Sequence, residues 1–148
     1  MTRFHRYTTH ALRTLFGAFF VFSGLNHIFA FWQPPAPHTT AGHAFLAGLG
    51  ASGFIVPLLG VLFTYAGVAL IARRMVALAL LLLAAPIVVI FGYHFVTEGE
   101  SFGIHWVLMA IYLWLAWEQR ATWAALFAAD ARTNTTTPAE PSPLRPAF

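Results

Sequence analysis

Residues 54–96 read FIVPLLGVLFTYAGVALIARRMVALALLLLAAPIVVIFGYHFV, and the only strongly charged side chains among them are the adjacent pair Arg73 and Arg74. On either side of that pair lies an apolar run, residues 54–72 and residues 75–96. About 20 apolar residues suffice to carry a helix across a hydrocarbon core of about 30 Å. A connection of two residues leaves no length for a crossover. The two runs are therefore predicted to be antiparallel, neighbouring membrane helices that turn on a basic hairpin. Outward from this hairpin lie two more apolar runs, residues 14–32 and residues 103–117. The expected fold is an all-α, integral membrane four-helix bundle.

The basic residues orient it. Arg3, Arg6 and Arg13 precede the first run, Arg73 and Arg74 separate the second from the third, and Arg120, Arg132 and Arg145 follow the fourth. The other two connections carry no Lys or Arg. This alternation is the positive-inside pattern, and it predicts that both termini are cytoplasmic. The expected location is the bacterial cytoplasmic (inner) membrane, with residues 1–13 as a basic lead, 14–120 as the membrane domain and 121–148 as a cytoplasmic tail, disordered from about 133. The stretch Thr135-Thr136-Thr137-Pro138-Ala139-Glu140-Pro141 in that tail has too few apolar residues to bury a core.

Composition agrees. Of the 148 residues 59% are hydrophobic and 9% charged, against about 25% charged in a soluble domain. The net charge of +3 is spread over three segments and forms no stripe suited to nucleic acid. With no cysteine, disulfides, thiol redox chemistry and cysteine-held metal centres are excluded. The first run is preceded by arginines, as a signal peptide is. It exceeds the usual apolar length of about 7–15 residues and continues into Trp32 without a small-residue cleavage site. A retained span is expected.

Details of the runs predict their packing. Gln33-Pro34-Pro35-Ala36-Pro37 ends the first helix, because proline cannot continue one comfortably. Residues 42–49 place Phe45, Leu46 and Leu49 on one helical face and predict a short interfacial helix, on the membrane surface or over the bundle mouth. Gly60, Thr64 and Gly67 share a face of the second helix and invite close approach by a neighbour. Pro86 predicts a kink in the third.

Polar groups gather in the outer half. Ser23, Asn26 and His27 share a face of the first helix. Tyr93 and His94 close the third, and His105 opens the fourth, continued by Met109 and Tyr112. His38, His43, Glu98 and Glu100 occupy the outer connections. A polar side chain at membrane depth marks a candidate site, although an interfacial His often bonds only a carbonyl or water, and Thr64 and Tyr65 read as packing groups. An apolar slot with donors for carbonyl oxygens suits a quinone, with Asn26, His27, Tyr93, His94 and His105 as cofactor-binding candidates. Haem or another metal centre is the weaker reading, because no pair of His stands at i, i+4 on one helix; no metal ligand is assigned.

The order Ser23-Gly24-Leu25-Asn26-His27, Phe29, Phe31, a proline-rich loop, then Phe54-Ile55-Val56-Pro57-Leu58-Leu59, Ala85-Pro86-Ile87-Val88-Val89, His94 and Tyr112-Leu113-Trp114-Leu115-Ala116-Trp117 resembles the small DoxX-like membrane proteins over about residues 12–120. Some of these are associated with thiosulfate oxidation that passes electrons to quinone, and others with membrane redox or detoxification assemblies. The resemblance implies a four-helix bundle and a link to quinone. It departs in the second helix, where relatives often carry a glutamate shortly before Gly-Gly. Here the stretch is Leu62-Phe63-Thr64-Tyr65-Ala66-Gly67, so the chain either lacks that proton chemistry or performs it with His27 or His94. The resulting expectation is a membrane subunit of a quinone-linked redox system with a possible redox partner subunit; the alternative is a non-catalytic scaffold or assembly factor. A transporter is disfavoured by the absence of acidic residues in the spans and of an internal repeat.

Overall fold

A computed structural model of the chain describes residues 3–133. The helices are α1 (Arg3–Phe29), α2 (Thr40–Ala51), α3 (Ile55–Ala72), α4 (Val76–Gly92), α5 (Ile104–Glu118) and α6 (Arg120–Thr133), with a π-helical turn at Tyr93–Thr97 that continues α4. There are no strands among the described residues. Three helical stretches, His5–Phe29, Ile55–Ala72 and Val76–Thr97, are long and apolar enough to cross a membrane. Ile104–Glu118 is apolar but shorter, about 22 Å at 1.5 Å per residue.

α1 and α3 form the most extensive interface. The reason is glycine on both sides. A Cβ at Gly67 would stand 2.5 Å from the Gly17 carbonyl oxygen and 2.7 Å from the Val21 nitrogen, and one at Gly24 would stand 2.7 Å from the Gly60 carbonyl oxygen. The two backbones thus touch along Gly17 and Gly24 of α1 and Gly60 and Gly67 of α3. The expected small-residue face of α3 is present, and its partner is a matching pair of glycines on α1.

Phe16 and Phe20 from α1, Phe63, Ala66 and Leu70 from α3, Leu80, Leu83 and Ile87 from α4, and Leu108 and Leu115 from α5 are buried together. Outside this core, Leu58, Val61, Val68, Leu81, Val88, Val107 and Leu113 are exposed. An outer surface this apolar fits hydrocarbon rather than water, so the helices form a bundle suited to contact with a lipid bilayer.

The arginine hairpin is as tight as its sequence requires. Arg73 and Met75 both adopt left-handed backbone, at φ 60° and 56°, and α3 and α4 pack as neighbours across it. The end of α1 differs from expectation. It stops at Phe29, three residues short of Trp32, at Ala30 in left-handed conformation with φ 49°. Asn26 closes it: its carbonyl accepts the Ala30 N–H at 2.8 Å and its side-chain oxygen accepts the Trp32 N–H at 2.7 Å. The cap, upstream of the prolines, ends this helix. At its other end α1 takes in most of the basic lead, where His5 pairs with Glu118 of α5 at 3.3 Å.

α4 is helical without a break through Pro86, and the change in helical pitch falls later, at Tyr93. The segment after α5 is α6, tied to it by a hydrogen bond from the Trp123 indole N–H to the Ala116 carbonyl at 2.9 Å. The expected disorder from about 133 falls almost entirely outside the described residues.

Candidate functional site

A cavity of about 530 Å³ opens between α1, α3 and α4, with α2 laid across it. Its walls are mostly apolar and include Phe19, Phe22, Leu59, Phe63 and Val89. Phe45, Leu46 and Leu49 of α2 all line it, so the predicted short helix exists and its apolar face covers the mouth of the bundle. Few polar residues reach the cavity: Ser23, Asn26, His27, Tyr93 and His94. Four of the five candidate cofactor-binding residues therefore share one chamber. A second opening beside Asn26, His27 and Trp32 adjoins it.

The side-chain hydrogen bonds of His27 and Asn26 in this chamber are local to their own segment. His27 Nδ1 lies 2.7 Å from the Ser23 carbonyl oxygen, one turn back on its own helix. A carbonyl can only accept, so Nδ1 carries the proton and Nε2 is left as an acceptor. The His27 ring also meets Phe63 edge-on at 5.5 Å. Phe63 is buried against Phe20 and His27. Asn26 spends its carbonyl oxygen on the α1 cap.

The roof is tied down by an acid. Glu98 accepts from the His38 backbone N–H at 2.6 Å and from the Thr39 hydroxyl at 3.1 Å. Thr39 is the N-cap of α2, so the carboxylate sits where the helix dipole favours negative charge. Gly42, in the first turn of α2, is buried against it, and a Cβ there would collide with the Glu98 carboxylate. The His38 N–H bond, assisted by Thr39, holds the Glu98 carboxyl below the ordinary carboxylate range. The sign follows. A depressed folded pKa adds stability that is present above the unfolded value of about 4.3 and is lost as pH falls through the lower folded value. Glu98→Gln at neutral pH is expected to raise protease cleavage of the loop before α2 several-fold, and acid should do the same to the wild type. Equal cleavage in the variant and the wild type at neutral pH would show that Glu98 does not hold the roof.

His43 is exposed on α2 and lies off the cavity. His105 is also away from it, and sequence reasoning missed its surroundings. It is 1% exposed, and neither ring nitrogen has a hydrogen-bond partner. Its ring stacks on that of His94 with centroids 5.4 Å apart and planes 4° from parallel. His94 Nδ1 lies 3.1 Å from Glu100 Oε2. Tyr112, expected to extend the His105 stripe, donates instead to the Leu80 carbonyl at 3.2 Å and joins α5 to α4, while Met109 packs against the core.

The π turn arranges these groups. Glu98 N–H donates to the Tyr93 carbonyl and Glu100 N–H to the His94 carbonyl, each at 2.9 Å. The chain thus folds back so that Glu98 faces α2 while Glu100 faces His94 and His105. Single π turns inside helices recur at functional sites. Comparison with protein-family models, with curated proteins and with solved structures finds no match to this chain.

Proposed function

We propose that this chain is a four-span protein of the bacterial inner membrane, with both termini cytoplasmic, that holds a quinone-type lipid in its outer half as the membrane subunit of a quinone-linked redox system. The observation that carries this reading is the apolar cavity of about 530 Å³ with a few polar groups on its walls. Ligand sites for organic molecules have this character, at about 300–1,000 Å³. The chemistry at the wall suits a quinone and its reduced form. His27 Nε2 is an acceptor for a hydroquinone O–H, and the side-chain N–H groups of Asn26 are donors for a quinone carbonyl, while the Tyr93 hydroxyl is turned to the Glu98 carboxylate. The resemblance to the DoxX-like proteins points the same way, and electrons reach the site from a partner subunit.

The test is a spectrum of the purified protein and of its organic extract, followed by titration with a short-chain quinone. Trp32 lines the cavity, so saturable quenching of tryptophan fluorescence, lost in Trp32→Phe, is expected. An extract without quinone together with unsaturable quenching would overturn the reading. The scaffold reading has its own support, because His27 and Asn26 both have side-chain bonds that end on backbone of the same segment. It predicts no bound lipid of this class.

The threading has a separate test. It rests on eight arginines confined to alternate connections. Single cysteines at Ala36 and Gly99 should react with an impermeant maleimide from the outer face, and one at Thr133 should not. Outer labelling at Thr133 would reverse the orientation.

A further inference from the structure

The buried polar side chain among the described residues, His105, lacks a hydrogen-bond partner. His105 is buried at the start of α5, with Nδ1 and Nε2 both unbonded. Buried polar atoms are nearly always satisfied, and an exception calls for an unseen water, ion or role. Around it is an aromatic shell: Phe91 meets it edge-on at 5.4 Å and the Trp106 ring lies 6.2 Å away. Such a shell excludes bulk water, so the cost of the unpaired nitrogens stands.

What His105 faces is specific. Its Nδ1 lies 3.7 Å from Glu100 Oε2, and His94 Nδ1 lies 3.1 Å from the same oxygen. The first distance is too long for a hydrogen bond. Both bracket the separation of about 3.3 Å that two ligands adopt when each stands about 2.0–2.1 Å from a tetrahedral metal ion. One ligand atom from each of His94, Glu100 and His105 falls within 4.8 Å of the others. Gly103 leaves this space clear: a Cβ there would stand 3.0 Å from His105 Nδ1 and 3.1 Å from Glu100 Oε2.

We propose that His94, Glu100 and His105 form a binding site for a divalent transition-metal ion of the zinc class. Two imidazoles and one carboxylate are the donor set of three-ligand zinc sites, which keep a fourth position for water or substrate. Imidazole donors disfavour magnesium and calcium, which take oxygen ligands. The sequence conceals the set because its members come from the π turn, the outer loop and the first turn of α5, with spacings of six and five residues. His94 is shared with the cavity wall, so the ion lies at the edge of the chamber, where its free position can take an oxygen atom of an occupant. The proposal is independent of the quinone reading, since metal binding is measured without any lipid ligand.

The experiment uses the full-length protein in detergent, without a histidine tag and stripped with a chelator. Zinc is titrated by calorimetry, and metal content is measured after dialysis. One zinc per chain is expected. Loss of even an outer-shell partner costs about 10–100-fold in metal affinity, so Glu100→Gln and His105→Ala should each weaken binding by about 100-fold or more. His43→Ala, at an exposed histidine, should leave it unchanged. Cobalt added to the stripped protein should give the visible bands of a four-coordinate site in the wild type and not in Glu100→Gln. Glu100→Gln preserves the shape of the side chain, and a circular dichroism melt confirms that the variant is folded. Absence of stoichiometric binding overturns the proposal and leaves an internal His94–Glu100 ion pair. Binding that Glu100→Gln does not weaken also overturns it, and assigns the metal to surface histidines.

Discussion

Replacing Gly67 or Gly24 by Leu is expected to unfold the bundle or to cost it at least about 3 kcal/mol, the upper end of ordinary overpacking. The reason is the kind of atom in the way. A Cβ at Gly67 meets the carbonyl oxygen of Gly17 and the nitrogen of Val21, both backbone. At Gly24 it meets the backbone nitrogen of Thr64 and the carbonyl oxygen of Gly60. Neither helix can move a backbone atom without shifting its whole turn, so α1 and α3 must separate. Gly60→Leu should be milder, because the nearest atom to a Cβ there, at 2.7 Å, is the side-chain Cγ1 of Ile28, which can turn aside. Gly48 on α2 has nothing within 4 Å of its Cβ position. Gly48→Ala should therefore be neutral or stabilise by up to about 1 kcal/mol through helix propensity. Thermal melts in detergent check the order. A Gly67→Leu variant that melts with the wild type would mean that the α1–α3 contact does not hold the bundle together.

The same contact shows which parts of the architecture were legible in the sequence. Apolar run length and the Arg73-Arg74 hinge foretell the helices and their hairpin, because hydrocarbon thickness and chain connectivity act on sequence directly. The small face of α3 was visible through its spacing. Its partner, Gly17 and Gly24, was not, since a spacing of seven on a helix otherwise lined by phenylalanine gives no signal until the neighbour is known. The stop of α1 was misplaced for a similar reason. Proline is a strong mark in sequence, whereas the Asn26 cap acts through one side-chain oxygen folded back on Trp32.

The site divides in the same way. Ser23, Asn26 and His27 are gathered by helical periodicity, and Tyr93 and His94 by depth, so their common chamber follows from the bundle. The roof was half legible: the apolar face of α2 is periodic, but the grip of Glu98 on His38 and Thr39 spans about 60 positions of chain. Nothing in the spacing of His94, Glu100 and His105 announces that they converge. Convergence depends on the π turn, which rotates the chain after Tyr93 and sends two neighbouring acids to opposite tasks. Glu98 fastens the roof and Glu100 faces the histidines. A regular α-helix through this stretch would separate residues 98 and 100 by about 200°, but it would carry both along the axis, away from the groups that they meet.

The His27→Ala variant separates ligand binding from stability. The imidazole N–H bonds the Ser23 carbonyl at 2.7 Å, and that carbonyl stands one helical turn before the His27 amide, its ordinary helical donor. Removing the ring therefore leaves no buried acceptor stranded. What is lost to the fold is the edge-on contact with Phe63, worth about 0.5–1.5 kcal/mol, together with some apolar burial. A small fall in melting temperature is expected. On the quinone reading the balance differs. His27 lines a chamber with few polar groups, so its Nε2 has few substitutes as an acceptor. Its removal should weaken binding of the reduced form by about tenfold or more, equivalent to about 1.4 kcal/mol. The oxidised form, which presents carbonyl oxygens and no hydroxyl, should be affected less. This asymmetry between the two redox forms is the informative quantity, and paired titrations with quinol and quinone on one folded variant measure it. Equal weakening of both would assign His27 to the shape of the cavity alone. No change in either, with the melting temperature lowered, would favour the scaffold reading, in which the histidine only braces α1 against Phe63.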